Sequence, residues 1–307
     1  MRFAVIGAGG MGALLGASLQ HAGNDVSFLA RRTHLAAMRS DGLRIESERG
    51  DVHLQKLKAT DKVDEIGVVD VIVFCVKLWD VESAGEQIRP LVGSETCLIP
   101  MQNGIDASER LIPILGIEHV LGGVAMLTGS IVAPGVVRQS GTHHRIIFGE
   151  LDGTISDRVK VLETACKAAG IDTVVSDNIN KERWQKFVGI VGAGGICALT
   201  RSSIGPIRED PDIAPLIDEA MQEVIAVGRA AGIDLDSEAA VFWRSFLAKV
   251  PDSFTPSLAV DLAAGNRLEL PWLAGKVVIL GRQLGVPTPV NRVVYAALKP
   301  FAYGGQK

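Results

Sequence analysis

Several residue types are scarce in this chain, and each shortage narrows what it can be. Its 307 residues hold four cysteines, Cys75, Cys97, Cys166 and Cys197, widely scattered and with no Cys-x-x-Cys pair. A disulfide framework is therefore not expected. Cys75 and Cys97 fall inside apolar, strand-like stretches and read as small buried hydrophobes of a reducing cytoplasm. Histidine is sparse too, with six copies, and the adjacent pair His143-His144 has no carboxylate at ligand spacing, so no metal site is expected. A long hydrophobic run is also missing. A membrane helix needs about 20 apolar residues, and the longest stretch here, 187–200, is shorter and carries four glycines. There is no excess of basic charge: the formal net charge is −4 and no Lys/Arg stripe forms, which argues against a nucleic-acid partner.

What is present is ordinary globular material, 47% hydrophobic and 21% charged, in a chain long enough for two domains with substantial cores. It opens on an apolar strand, Phe3-Ala-Val-Ile6, that runs into Gly7-Ala8-Gly9-Gly10-Met11-Gly12. This Gly-x-Gly-x-x-Gly turn is a dinucleotide cradle when a strand precedes it and a helix follows. Gly7 permits the tight turn, Gly9 lets the backbone approach a pyrophosphate, and Gly12 lets the helix pack closely. Both flanks are in place: an Ala/Leu-rich helix from Met11 to about His21, then a second strand over 25–30. A secretory signal would also start with a basic residue, but the glycines interrupt the apolar stretch it needs.

The end of the second strand decides the cofactor. An acidic residue about 20 positions past the glycines would hold the ribose 2′-hydroxyl of NAD. Arg31 and Arg32 stand there instead. A guanidinium can fork onto a 2′-phosphate, so NADPH is the expected cofactor; a solvated basic turn is the plainer reading.

Strand and helix patterns alternate up to about residue 177. Weak edge strands are expected between Gly42 and Ala59, buried strands over 70–77 and 96–101, and an antiparallel extension from 120–127, 135–139 and 144–148. A helix over 154–169 and a last strand over 171–176 complete this part. From Asn178 on, strand patterns vanish. Helical periods take over at 181–199, 213–231, 237–247, 257–264 and 272–284. The fold class is thus α/β: a doubly wound Rossmann-type domain, 1–177, followed by an all-helical domain, 178–307. The active site is expected in the cleft between them.

Lys77 ends the clearest buried strand, where it can meet a phosphate or a substrate anion, or simply point to solvent. Asn103, followed by Gly104, ends the next strand and can hold the nicotinamide ribose or the substrate, or satisfy a turn. Lys186, Ile190 and Gly194 share one helix face. No charged residue occurs from Phe187 to Thr200, so Lys186 should lose part of its preference for the charged form and become a proton donor near neutral pH. A snorkelling surface lysine is the alternative. Gly189, Gly192, Gly194 and Gly195 each cost this helix roughly 1 kcal/mol relative to alanine, a loss that close packing or close approach to a ligand must offset. Ser257, Asp261, Arg267 and Glu269 form a polar ladder further on. Val241-Phe242-Trp243 and Phe246 read equally as core or as the face of a homodimer.

Taken together, the glycine turn, Arg31, the strand ending in Lys77, Asn103-Gly104, Trp184-x-Lys186, the ladder from Ser257 to Glu269 and Gly285-Val-Pro-Thr-Pro-Val-Asn291 resemble the ketopantoate (2-dehydropantoate) reductase family over nearly the whole chain. The resemblance implies NADPH on residues Gly7 to Gly12 with its 2′-phosphate near Arg31, and Lys77 and Asn103 along the nicotinamide half. It implies hydride transfer to a 2-oxo acid, with Lys186 protonating the developing alkoxide. Glu269 would orient Lys186 or the nicotinamide ribose, and Ser257 would hold the substrate carboxylate. The implied reaction is reduction of 2-dehydropantoate to pantoate in pantothenate biosynthesis. Ile190, Gly194 and Ala274 stand where the family usually has asparagines. That leaves open a paralogous reductase for a more hydrophobic 2-oxo acid. A β-hydroxyacid dehydrogenase, or a non-catalytic NADP sensor, is the more distant alternative.

Overall fold

A computed structural model describes residues 1–305; Gln306 and Lys307, which close the expected helical domain, lie outside the described residues. By contact the chain divides into two compact units, one of residues 1–102 and 106–179, the other of residues 103–105 together with the chain from Asn180 on.

The first unit begins β1 (Arg2–Ile6), α1 (Gly10–His21), β2 (Asp25–Leu29), α2 (Arg32–Ser40), β3 (Leu43–Glu46), β4 (Val52–Leu54) and β5 (Lys58–Thr60). It continues β6 (Val71–Phe74), α3 (Val81–Gln87), β7 (Cys97–Pro100), α4 (Ala107–Leu115), β8 (Gly122–Ala133), β9 (Val136–Gly149), α5 (Asp157–Ala168) and β10 (Asp172–Val175). Strands β5, β2, β1, β6 and β7 form, in that order, a wholly parallel sheet. The order reverses beside β1, and in such sheets ligands bind outside the carboxyl ends of the strands at this switch point. All four residues of β6 and of β7 are buried, as a sheet covered on both faces requires.

The segments read as an antiparallel extension belong to a second sheet of this unit. Strands β10, β9, β3 and β4 form the second, with β8 also paired to β9. The segments 135–139 and 144–148 belong to one strand, β9, rather than two. Leu127 faces His144 and Gly129 faces Gln139, so residues 140–143 bulge out of the ladder. The Ser-Gly turn signal at 140–141 marks that bulge instead of a chain reversal. Helix α1 packs close to β8, because a Cβ on Gly10 would collide with the Gly129 carbonyl.

The second unit contains α6 (which spans Ile179–Thr200), α7 (Ile204–Glu209), α8 (Ala214–Ala230), α9 (Glu238–Leu247), α10 (Ser257–Ala263), α11 (Ala274–Leu284) and α12 (Pro289–Leu298). Helix α12 lies beyond the helical periods read from the sequence and starts at a proline, which is well placed at a first helical position. Its N-terminus is closed by Glu223 of α8, whose carboxylate accepts hydrogen bonds from the backbone N–H groups of Val290 (2.7 Å) and Asn291 (2.9 Å). No helix among the described residues is long and apolar enough to cross a membrane. On α9, Trp243 is buried while Val241 and Phe242 are exposed.

Helix α6 is the axle of this unit, and its glycines are explained by its neighbours. A Cβ on Gly189 would collide with the Trp243 ring of α9. One on Gly192 would come to 2.5 Å from Met221 Cγ of α8, and one on Gly195 to 3.0 Å from Val294 Cγ1 of α12. At these three positions the lost helix propensity is offset by close packing. Gly194 differs: nothing lies nearer to its Cβ position than 3.9 Å.

Candidate active site

Gly7 follows β1 with φ +88°, a backbone region open to glycine but costly for other residues. A Cβ on Gly12 would collide with the Gly7 carbonyl, so the turn and the first turn of α1 touch backbone to backbone. Gly9 is the N-cap of α1 and provides no side-chain cap, and the first turn holds no acidic residue. A Cβ at Gly9 would meet nothing within 4 Å. The cradle therefore offers an uncapped helix N-terminus, free of competing negative charge and open on the glycine side. Those properties fit a diphosphate.

Arg31 lies two residues beyond β2, exposed, and its Nη2 donates to Gln87 Oε1 at 3.4 Å. Arg32 adopts φ +55°, so the backbone at this arginine pair is held in a costly conformation. Sequence reading passed over His34, in the next turn. Its Nδ1 accepts a hydrogen bond from the Gly135 N–H (3.1 Å), tying the β8–β9 turn to the start of α2. Lys77 is exposed just past β6, its Nζ 5.7 Å from the centre of the Trp79 ring. Gln102, also unforeseen, is buried at the end of β7; its Nε2 donates to the carbonyls of Phe74 (3.0 Å) and Val76 (3.1 Å). It thereby ties the ends of β6 and β7 together beside Lys77. Position next to Asn103 was the available sequence signal.

The second cluster lies wholly in the helical unit. Residues Asn103–Ile105 belong to this unit, held by the buried Arg183 of α6, whose Nη2 donates to the Ile105 carbonyl at 2.7 Å. That anchor sets Asn103 against the helix, and Lys186 Nζ donates to its Oδ1 at 2.8 Å. Burial pushes the Lys186 ammonium down to about 8, while the negative charge of Glu269 works against that fall. Glu269 itself is buried, immediately before the short helical turn Leu270–Trp272. An ammonium with this proton affinity, held by one amide oxygen and countered by one carboxylate, is a competent proton donor near neutral pH.

The rest of the polar ladder divides. Ser257 opens α10 and is exposed. Asp261 Oδ1 accepts from Asn266 Nδ2 at 3.1 Å, and exposed Arg267 lies 5.8 Å from the Tyr303 ring centre. Ile190 is half-buried, one turn beyond Lys186, and Ala274 is buried at the start of α11. Among the described residues no group of three or more metal-ligating side chains forms.

Residues 3–153 match the family described as ketopantoate reductase PanE/ApbA, and residues 178–302 match its C-terminal counterpart. The chain belongs to the ketopantoate reductase family. It is 30% identical to a 2-dehydropantoate 2-reductase of Mesorhizobium japonicum over 323 residues, covering 98% of each chain. It is 29% identical to the uncharacterized oxidoreductase YkpB of Bacillus subtilis over 303 residues, covering 98% of this chain and 99% of that one. The crystal structure of a 2-dehydropantoate 2-reductase from Geobacter metallireducens superimposes with a TM-score of 0.92 at 30% identity, covering 98% and 99% of the two chains. D-mandelate dehydrogenase, solved with NADH and anilino(oxo)acetate, shares the fold with a TM-score of 0.91 at 21% identity, covering 98% of both chains. Family membership makes this chain an oxidoreductase acting on CH–OH groups.

Proposed function

We propose that this chain catalyses NADPH-dependent reduction of a 2-oxo acid to the 2-hydroxy acid, with reduction of 2-dehydropantoate to pantoate, a step of pantothenate biosynthesis, as the family's own example. The observation that carries the reading is the half-buried Lys186, hydrogen-bonded to Asn103 at 2.8 Å and with its proton affinity lowered by desolvation to about 8. The reduced nicotinamide, when bound, supplies hydride to the ketone carbon.

The protein's own residues do the rest. The open N-terminus of α1 and the Gly7–Gly12 turn, including Ala8, Gly10 and Met11, bind the diphosphate, and Arg31 binds the 2′-phosphate. Lys77 and Asn103 line the nicotinamide half. As the ketone is reduced, negative charge grows on its oxygen; the Lys186 ammonium stabilises that charge and then transfers its Nζ proton to the alkoxide. Asn103 and Glu269 keep Lys186 oriented and charged, and Ser257 binds the substrate carboxylate. The four cysteines are all free thiols, which supports a cytoplasmic setting.

The test is consumption of NADPH, followed by absorbance, with 2-dehydropantoate and other 2-oxo acids. Turnover that is abolished by Lys186→Ala, while NADPH binding measured by calorimetry persists, supports the reading. Undiminished turnover by Lys186→Ala sinks it.

A further inference from the structure

Lys186, Ile190 and Gly194 lie on one face of α6, one turn apart. Beyond Lys186 this face carries hydrocarbon and then bare backbone. The half-buried Ile190 is part of the apolar packing of the helical unit. Gly194 is buried, yet the other three glycines of the helix are pressed by neighbouring side chains and this one is not. The nearest atoms to its Cβ position are the Cβ atoms of Pro256 and Leu258, each at 3.9 Å. Leu258 is itself a core residue. A methyl group here would meet Pro256 and Leu258 only at ordinary van der Waals distance, so this glycine, two turns beyond the proton donor, presents bare backbone toward them without the tight packing that explains the other three. Ile190, on the same helix face, and Pro256 and Leu258, opposite Gly194, have no side-chain donor or acceptor. The hydroxyl of Ser257, between Pro256 and Leu258, is the polar exception, and the proposed function assigns it to the carboxylate common to every 2-oxo acid.

We infer that Ile190 and Gly194, with Pro256 and Leu258, form an apolar specificity wall that selects 2-oxo acids with a bulky hydrocarbon side chain over those bearing a side-chain hydroxyl. The inference rests on Lys186 being the proton donor, because that is what places the substrate along this face. A hydroxyl moved from water to this wall loses its hydrogen bonds and gains none, whereas a methyl group there gains contact. Apolar walls reject an added hydroxyl only moderately, by about a hundredfold at most. The selection therefore shows as a ratio of rates and not as an absolute exclusion.

A matched pair isolates the hydroxyl: 2-dehydropantoate and 3,3-dimethyl-2-oxobutanoate share a carbon skeleton and differ in the terminal OH. With the full-length protein and NADPH, kcat/KM is expected to favour the hydrocarbon acid by about tenfold or more. Calorimetry with the two corresponding 2-hydroxy acids should show the same order of affinity without turnover. Ile190→Asn and Gly194→Asn each put an amide on the wall, and either should move the ratio toward the hydroxylated acid by about tenfold. Equal or better use of 2-dehydropantoate by the unaltered protein, or ratios unmoved in both variants, overturns the inference and leaves the reductase reading standing. If neither acid is reduced although calorimetry shows NADPH bound, the reductase reading fails and the inference falls with it.

Discussion

Lys186 Nζ donates a 2.8 Å hydrogen bond to Oδ1 of Asn103, across 83 residues of sequence. Burial lowers the proton affinity of this ammonium and the charge of Glu269 restores part of the loss, leaving it at about 8; an amide oxygen that accepts from the ammonium favours the same charged form. In the reductive direction the protonated lysine is the active form. The rate should be level below about pH 8 and decline as pH rises through it. Oxidation of the 2-hydroxy acid needs the neutral amine and should rise over the same interval. Opposed pH–rate profiles for the two directions would establish this; parallel ones would exclude Lys186 as the group that titrates.

Asn103 tunes that balance. Asn103→Ala removes an acceptor of the charged form, so the reductive limb should move to lower pH by up to about one unit. Asn103→Asp places a carboxylate there and should move it to higher pH. The direction of the two shifts, read from pH–rate profiles, separates control of the proton from general damage to the site.

The glycines of α6 give a contrast in stability. Gly189→Ala drives a methyl group into the Trp243 ring and should cost roughly 2 kcal/mol or more. Gly194→Ala meets nothing closer than 3.9 Å and gains helix propensity, so it should be neutral or stabilising by up to about 1 kcal/mol. Chemical denaturation of the two variants decides it, and equal losses would contradict the packing described.

His144 is buried on β9, 3.0 Å from Ser18 Oγ of α1. Desolvation, with the nearby charge of Arg49, lowers it from 6.5 to about 4. Between those values the unfolded chain binds the proton more readily than the folded one. Its contribution is complete above about pH 6.5 and is lost as pH falls toward about 4, by roughly 3 kcal/mol in all. His144→Gln should flatten the acid side of the Tm–pH curve; an unchanged slope would assign it to other groups.

Arg31 should discriminate between cofactors. Arg31→Ala is expected to weaken NADPH binding about tenfold, while leaving NADH within about twofold, because the 2′-phosphate alone is lost as a partner. Fluorescence titration of both cofactors checks this. Equal weakening would mean that Arg31 supports the fold of the loop and not the phosphate.

Much of this protein is legible in its sequence because the signals are local. Gly7, Gly9 and Gly12 need only their neighbours to specify a turn opening a helix, and the apolar run of β6 needs only the period of its side chains. The absence of charge from Phe187 to Thr200 already marks Lys186 as unusual. Local signals failed where distant segments compete. The turn residues at 140–141 bulge within β9 because β8 pairs on either side of them. Helix α12 is capped by Glu223 from another helix. The ladder from Ser257 to Glu269 reads as one unit in sequence, yet only Glu269 bears on the proton affinity of Lys186. Sequence spacing determined the elements and the residue types available to the site. Tertiary structure alone decided which of them act on the lysine, because burial and charge sum through space over groups as far apart in the chain as Asn103, Lys186 and Glu269.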